Sequence, residues 1–437
     1  MSADIKRWLA GSAAVVAAVG LVGCSPSGPG ESSPSGEGQG STGGVTTVTM
    51  WGRETGAPAA AVEKFNATHT DIQIELSIVP DAEIITKYAQ SVRAGTAPDL
   101  IGTFTSGPLL AAQGMLEDLT DRVEALPNRA DLAVAAMNAG LIEGRTYTVP
   151  LGVQGSQLYW NKTLFEQAGL DPEKPPATLE EVKAIAEKLS ELPDVIPFST
   201  IGSTGGAWTG FPSIWASGGE VLTPAGPDQQ AVFDNDTTKA VLAWYRDMWT
   251  SGLMAKTDQP NQDPGGVGLQ NAHAGKVGMA VGGGYIVVGT EGAEWGYLPG
   301  IPGFVNGSLG SFAGGDVLGI TAGSPRVDAA WAFLEWAMTS EDNARAMAST
   351  GNAGPDLALA SRVAEEAGDQ LALSQIATIK VGSWPASIAY GPAIDAPTGP
   401  YNVAAQAIVF EGVDPDEALA KAQADANALI KEAYDQV

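Results

Sequence analysis

Between Val45 and Phe104 the apolar residues change period four times, and that alternation constrains the fold more than any other feature of the chain. Residues 45–51 (VTTVTMW) put large side chains at alternate positions, the spacing of a strand buried on one face, and Gly52 ends the run. Residues 58–68 carry Val62 and Phe65 at helical spacing behind Pro58, which suits a first helical turn because the N–H it lacks would have no partner there. Ile72, Ile74, Leu76 and Ile78 alternate again. Ile84, Ile85, Tyr88 and Val92 return to the helical period, and residues 99–104 read as a third strand. Strand–helix–strand–helix–strand predicts an α/β fold with parallel pairing, because each crossover returns the chain to the same end of the sheet. In open sheets of this kind ligands meet the carboxyl ends of the strands. Those ends are Trp51, Gly52, Arg53 and Glu54 after the first strand, and 103–106, with Thr105, after the third.

Further along, Thr178 and Glu181 fit a capping box ahead of Val182, Ile185, Ala186 and Leu189. Asp236 is expected to cap a helix carrying Val241, Leu242, Tyr245, Met248 and Trp249, closed by Gly252. Residues 277–281 and 317–320 are strand-like, and the second is followed by a helix through Trp331, Leu334 and Met338. The length suggests two or three domains. No Ser/Gly/Pro-rich linker divides residues 45–437, which is what two coupled lobes with interleaved segments would require.

The N-terminus carries a different message. Lys6 and Arg7 precede an uncharged stretch, 8–22, that is short for a bilayer span and fits the core of a signal peptide. It ends in Leu21-Val22-Gly23-Cys24, which resembles the bacterial lipobox. That resemblance implies cleavage before Cys24 and a diacylglyceryl group on its sulfur; the alternative is an ordinary secretory signal with an incidental cysteine. Cys24 is the one cysteine of the chain, so no disulfide is expected. Residues 25–44 are mostly Ser, Gly and Pro and read as a flexible tether. A net charge of −27 argues against nucleic acid and against anionic lipid surfaces, so the membrane is expected to be reached through the lipid alone.

Catalytic motifs are scarce. His69 and His273 are the only histidines, and neither has a carboxylate or cysteine at ligand spacing; no metal or cofactor is expected. The GxGxxG at 38–43 lies inside the tether with no strand before it. Chance carboxylate pairs leave a secreted glycoside hydrolase as the enzymatic alternative.

Residues 147–162 (YTVPLGVQGSQLYWNK), 164–171 (LFEQAGLD), Trp215 to Gly219, Lys276 to Met279 with Gly283 to Tyr285, Gly314 and Gly315, and the segment from Ala330 to Leu334 stand in a collinear order. Together they resemble the extracellular solute-binding proteins of family 1, the maltose-binding-protein-like group. The resemblance implies a two-lobed periplasmic-binding-protein fold with a ligand cleft at the hinge. It also implies a carbohydrate ligand, no catalysis, a monomer, and delivery to the membrane-spanning permease subunits of an ABC importer. Crossovers are placed near 151–155, near 311–315 and in the 370s. That gives 1–23 as signal peptide, 24–44 as lipidated Cys and tether, 45–152 with 312–372 as lobe 1, and 153–311 with 373–437 as lobe 2.

A sugar offers apolar C–H faces and a rim of hydroxyls, so its site needs flat aromatic surfaces and hydrogen-bonding groups around them. Trp51, Trp208, Trp215, Tyr285 and Trp384 lie in Gly-rich or loop contexts, and Arg53, Glu54, Thr105, Gln154 and Asp316 supply the polar groups. Trp51, Trp215 and Trp384 read equally well as packing. Arg53 and Glu54 have the alternative of pairing with each other. Gly314 and Gly315 either let backbone approach the ligand or only permit the crossover turn. Trp160, Trp244, Trp249, Trp331 and Trp336 follow helix or strand periods and read as core. Read as a loop residue, Trp208 should contribute little to ligand-free stability. A binding protein for glycerol phosphate or a polyol is the nearest alternative; a phosphate would need several cations, and Arg53 is the only one these loops offer.

Overall fold

The computed structural model describes residues 44–435 except 54, 104, 201–207, 260–265, 291 and 397. Cys24, the signal-like stretch, the tether and Glu54 therefore lie outside the described residues.

The first sheet has the order Ile72–Ile78, Thr46–Gly52, Leu100–Thr103, Val317–Ile320, Val149–Pro150. Its first three strands are parallel, as the alternation requires; Trp51 sits opposite Ser77 on one side and Ile101 on the other. Val317–Ile320 enters antiparallel between Leu100–Thr103 and Val149–Pro150. Val48, Met50, Phe65, Leu100, Val149, Leu318, Phe333 and Leu334 form the core beside this sheet, contributed by strands and by the helices Gly56–Thr68 and Val327–Thr339. Asp99 fastens it: its carboxylate accepts from the Thr49 N–H at 2.8 Å, the Ser324 hydroxyl at 2.7 Å and Arg326 Nη1 at 3.1 Å.

A second sheet has the order Trp295–Leu298, Gln157–Asn161, Val277–Gly282, Ile196–Ser199. Leu158, Phe165, Phe198, Tyr245 and Met279 fill its core together with Tyr401, Leu419 and Ile430 from the C-terminal helices Pro400–Gln406 and Pro415–Asp435. The helix Leu179–Leu189 starts as expected, with Thr178 Oγ1 accepting the Glu181 N–H at 3.2 Å. Asp236–Thr250 is capped one residue earlier than the sequence suggested. Asn235 Oδ1 accepts the Thr238 N–H at 2.9 Å, leaving Asp236 in the first turn, where its charge suits the helix dipole.

Between the sheets the chain crosses through 151–156 and returns through 311–316, and these crossings pair: Gln154–Gly155 runs antiparallel to Ala313–Gly314. Ser383 lies alongside them, its N–H on the Ser311 carbonyl at 2.9 Å and its carbonyl accepting from Ala313 N–H at 3.0 Å. At Gly315, φ is 157° and a Cβ would overlap the Gly152 carbonyl oxygen. Only a glycine lets the two crossing segments pass at this distance. The helix Gln370–Val381 lies against them, with Gln375 Oε1 accepting the Gly155 N–H at 2.9 Å and Gln375 Nε2 donating to the Tyr159 hydroxyl at 2.8 Å. Among the described residues no helix is long and apolar enough to cross a membrane.

Candidate functional site

A cleft of about 450 Å³ opens where the carboxyl ends of both sheets meet the crossing segments, lined by Arg53, Thr55, Gln154, Trp208, Leu269, Tyr285, Asp316, Thr350 and Asn352 among others. Five residues singled out from the sequence thus share one cavity: Arg53, Gln154, Trp208, Tyr285 and Asp316. Each is there for a topological reason. Arg53 follows the strand Thr46–Gly52, Gln154 and Asp316 lie on or beside the paired crossings, and Tyr285 sits in the turn Gly284–Ile286 after Val277–Gly282.

Arg53 Nη1 lies 3.0 Å from Asp316 Oδ1, with only 16% of the arginine side chain and 5% of the aspartate exposed. Arg53 thus has Asp316 as an ion-pair partner on the cleft wall. Thr55, at the N-cap position of Gly56–Thr68, donates its hydroxyl to Asp316 Oδ2 at 2.7 Å instead of capping its own helix. The Asp316 carbonyl accepts the Leu151 N–H at 2.8 Å, so this carboxylate is held by strand end, helix start and crossing segment together. Among the described residues, Arg53 and Asp316 are the charged members of the cleft lining, and they pair with each other.

The neutral groups are arranged differently. The Gln154 side-chain oxygen is buried, and among the described residues no donor reaches it. A buried acceptor left this way costs about 1–3 kcal/mol, and this one lies against Gly283. Asn352 Nδ2 donates to Thr350 Oγ1 at 2.8 Å, which fixes the amide on the opposite wall. Tyr285 is 37% exposed, yet its hydroxyl is enclosed beside Gly282 and Gly283; burial pushes its pKa up to about 12 against the opposing pull of the Gly283 backbone hydrogen bond. The ring is therefore neutral throughout the physiological range and presents a face and an edge. Trp208 is half-buried, its ring 5.3 Å from that of Phe312 and packed against the core of the second sheet, so it is not the loosely held loop residue the sequence suggested and does contribute to ligand-free stability.

The remaining sequence-selected residues lie elsewhere. Trp51 packs beside Val79, Ile84 and Tyr88 on the far helix layer of the first sheet. Trp215 leans on Phe211, with ring centroids 5.8 Å apart, and lines a separate groove with Val221 and Pro385. Trp384 is buried, its ring 5.5 Å from Phe312 on the side of a second cavity of about 520 Å³. Thr105 is buried beside Gly391. Gly315 serves the crossing described above. Trp160, Trp244 and Trp331 are buried in the two cores, and Trp249 and Trp336 pack against them. Sequence reasoning missed Thr55, Leu269, Thr350 and Asn352. Thr55 was within reach of the strand-end rule that found Arg53; Asn352 comes from a loop with no periodic signal, and only the Gly351 and Gly354 flanking it mark a close approach.

The bacterial extracellular solute-binding protein family matches residues 60–367, most of the chain. The chain belongs to this family. Among curated relatives, the sn-glycerol-3-phosphate-binding periplasmic protein of Brucella abortus is 26% identical over 185 residues, covering 39% of each protein. The chain spans little more than a third of the length of the curated relatives it matches. Among solved structures, an ABC transporter solute-binding protein from Thermotoga lettingae bound with α-D-tagatose superposes with a TM-score of 0.74 at 20% identity, over 88% of this chain and all of that one. The cyclic α-maltosyl-1,6-maltose binding protein of Arthrobacter globiformis gives 0.69 at 24% identity, over 89% of this chain and all of that one. At these identities the likeness is one of fold. It makes this solute-binding protein α/β and two-lobed, with a cleft at the hinge, and the family places it outside the cytoplasm.

Proposed function

We propose that this solute-binding protein captures a mono- or oligosaccharide in the cleft and delivers it to the permease subunits of an ABC importer, without chemistry of its own. The observation that carries this reading is the composition of the cleft wall: two aromatic rings, Trp208 and Tyr285, neutral hydrogen-bonding groups on Gln154, Thr350 and Asn352, and one internally paired charge. Aromatic rings suit C–H faces, and the neutral amide and hydroxyl groups around them suit the hydroxyls of a sugar. In this reading 45–152 with 312–372 and 153–311 with 373–437 are the two lobes, Cys24 carries the lipid anchor, and the protein acts as a monomer.

The likeness to the glycerol-phosphate-binding protein of Brucella abortus favours a second reading, a phosphorylated polyol held by Arg53. The compensation of Arg53 by Asp316 weighs against it, because a phosphate would have to compete with a buried carboxylate. Titration calorimetry with neutral sugars and with sn-glycerol 3-phosphate, at low and at physiological salt, separates the two. A neutral ligand binds with little dependence on ionic strength, whereas tight, steeply salt-dependent glycerol 3-phosphate binding would displace the carbohydrate reading.

A further inference from the structure

One contact across the cleft is made by backbone alone. Gly284 follows the strand Val277–Gly282 of the second sheet, and Gly351 follows the helix Glu341–Ala348, which packs on Gly56–Thr68 beside the first sheet. A Cβ on Gly284 would overlap the Gly351 carbonyl oxygen, and its nearest neighbours are all atoms of Gly351. From the other side, a Cβ on Gly351 would lie 2.6 Å from the Gly284 carbonyl carbon and 2.7 Å from the Tyr285 nitrogen. Next to this pair, a Cβ on Gly283 would overlap Gln154 Oε1. At the Gly284–Gly351 contact itself the nearest atoms on both sides are backbone, with no side chain to give way, so a single methyl group forces the walls apart.

The placement gives the contact leverage. Gly351 is adjacent to Asn352, a cleft residue, and Ala353 pairs with Val153 of the first crossing segment, its carbonyl accepting the Val153 N–H at 2.9 Å. Gly284 is adjacent to Tyr285, also a cleft residue. The glycine pair thus lies between the pivot and the ligand space, where a small separation near the axis becomes a larger one across the cleft. We infer that Gly284 and Gly351 are positioning residues: they set the angle at which the cleft closes, and so the distance between Tyr285 and Asn352 and the thickness of ligand that both walls reach. This inference rests on the cleft being the ligand site, whatever the ligand.

Gly284→Ala is the clean perturbation. Gly284 keeps a negative φ, so alanine suits its backbone and the only obstruction is across the cleft. Gly351 has φ +76°, where alanine would add strain of its own. Wild type and Gly284→Ala, as full-length chains, are compared by ligand-free thermal unfolding, small-angle scattering, and calorimetry with D-tagatose, mannobiose, maltotriose and sn-glycerol 3-phosphate. The expected result is ligand-free melting within a few degrees of wild type and a ligand-free radius of gyration larger than that of wild type. Affinity for whichever probe binds wild type should be about 10-fold or more weaker, because apparent affinity falls with the fraction of molecules able to close. Wild-type affinity in the variant overturns the inference. So does a large loss of ligand-free stability, which would make the contact permanent packing and not a closing stop. Binding of glycerol 3-phosphate alone would remove the carbohydrate reading while the same loss in Gly284→Ala still supports the pivot. If no probe binds wild type, an unchanged ligand-free radius in the variant overturns the inference, and an enlarged one supports it.

Discussion

Replacing Arg53 by Met tests whether the cleft wall is built on an internal ion pair. The substitution keeps a stem of similar length and removes the guanidinium from Asp316 Oδ1, leaving that carboxylate, 5% exposed, with the Thr55 hydroxyl on its other oxygen. Breaking a fully buried pair from one side costs about 3–5 kcal/mol. Here the arginine is 16% exposed and one donor remains, so a loss of about 2–3 kcal/mol is expected. Ligand-free urea unfolding at pH 7 measures it. Asp316→Asn in the Arg53→Met background should recover part of that loss, with a coupling of about 1–3 kcal/mol in the double-mutant cycle. A loss within about 0.5 kcal/mol of wild type, with additive single substitutions, would mean the pair is effectively solvated and would refute this account of the wall.

Trp208→Ala should cost about 2 kcal/mol of ligand-free stability through its packing on Phe312, and a similar amount or more of ligand affinity; unchanged affinity would remove Trp208 from the site. Burial pushes the Asp99 pKa up, but the Ser324, Thr49 and Arg326 donors outweigh it and hold the folded value below the ordinary one. The stability this group adds is therefore present above its unfolded pKa of about 3.9 and lost as pH falls through the lower folded value. Urea midpoints between pH 6 and pH 3 should fall less steeply in Asp99→Asn than in wild type. Cys24→Ala, correctly processed, should move the protein from the membrane fraction to a soluble pool, and salt-resistant sedimentation of the variant would rule out a lipid anchor.

The first sheet was legible because each of its early strands and helices spans at least two periods of its own pattern. Val317–Ile320 was legible as a strand, but its antiparallel place in the middle of that sheet was not, since nothing in a four-residue apolar run specifies a partner far away in sequence. Arg53 follows a strand and was found by the strand-end rule, whereas Tyr285 was picked out by the glycines around it. The aromatic residues divided less cleanly. Gly-rich or loop context picks out Trp208 and Trp384 alike, and both rings pack on Phe312, yet one lines the cleft and the other a separate cavity. Local sequence records that a ring sits in a turn; which side of a crossing strand the turn faces is decided by tertiary packing. Asn352 shows the same limit from the other direction, as a cleft residue whose only trace is the pair of glycines around it.

The insertion of Val317–Ile320 between Leu100–Thr103 and Val149–Pro150 also dictates an order of assembly. When the chain emerges from a ribosome or an export channel, the three parallel strands appear first, but the edge of Leu100–Thr103 has no neighbour until the whole second sheet has been delivered. Closing that gap joins segments separated by a long loop, the kind of event that makes folding slow. Until then the half-built sheet offers an open edge to any other chain, a recognised route to aggregation. A nascent molecule truncated after the second sheet should therefore resemble a chaperone client more than a stable half-protein, even though most of its residues are already in place.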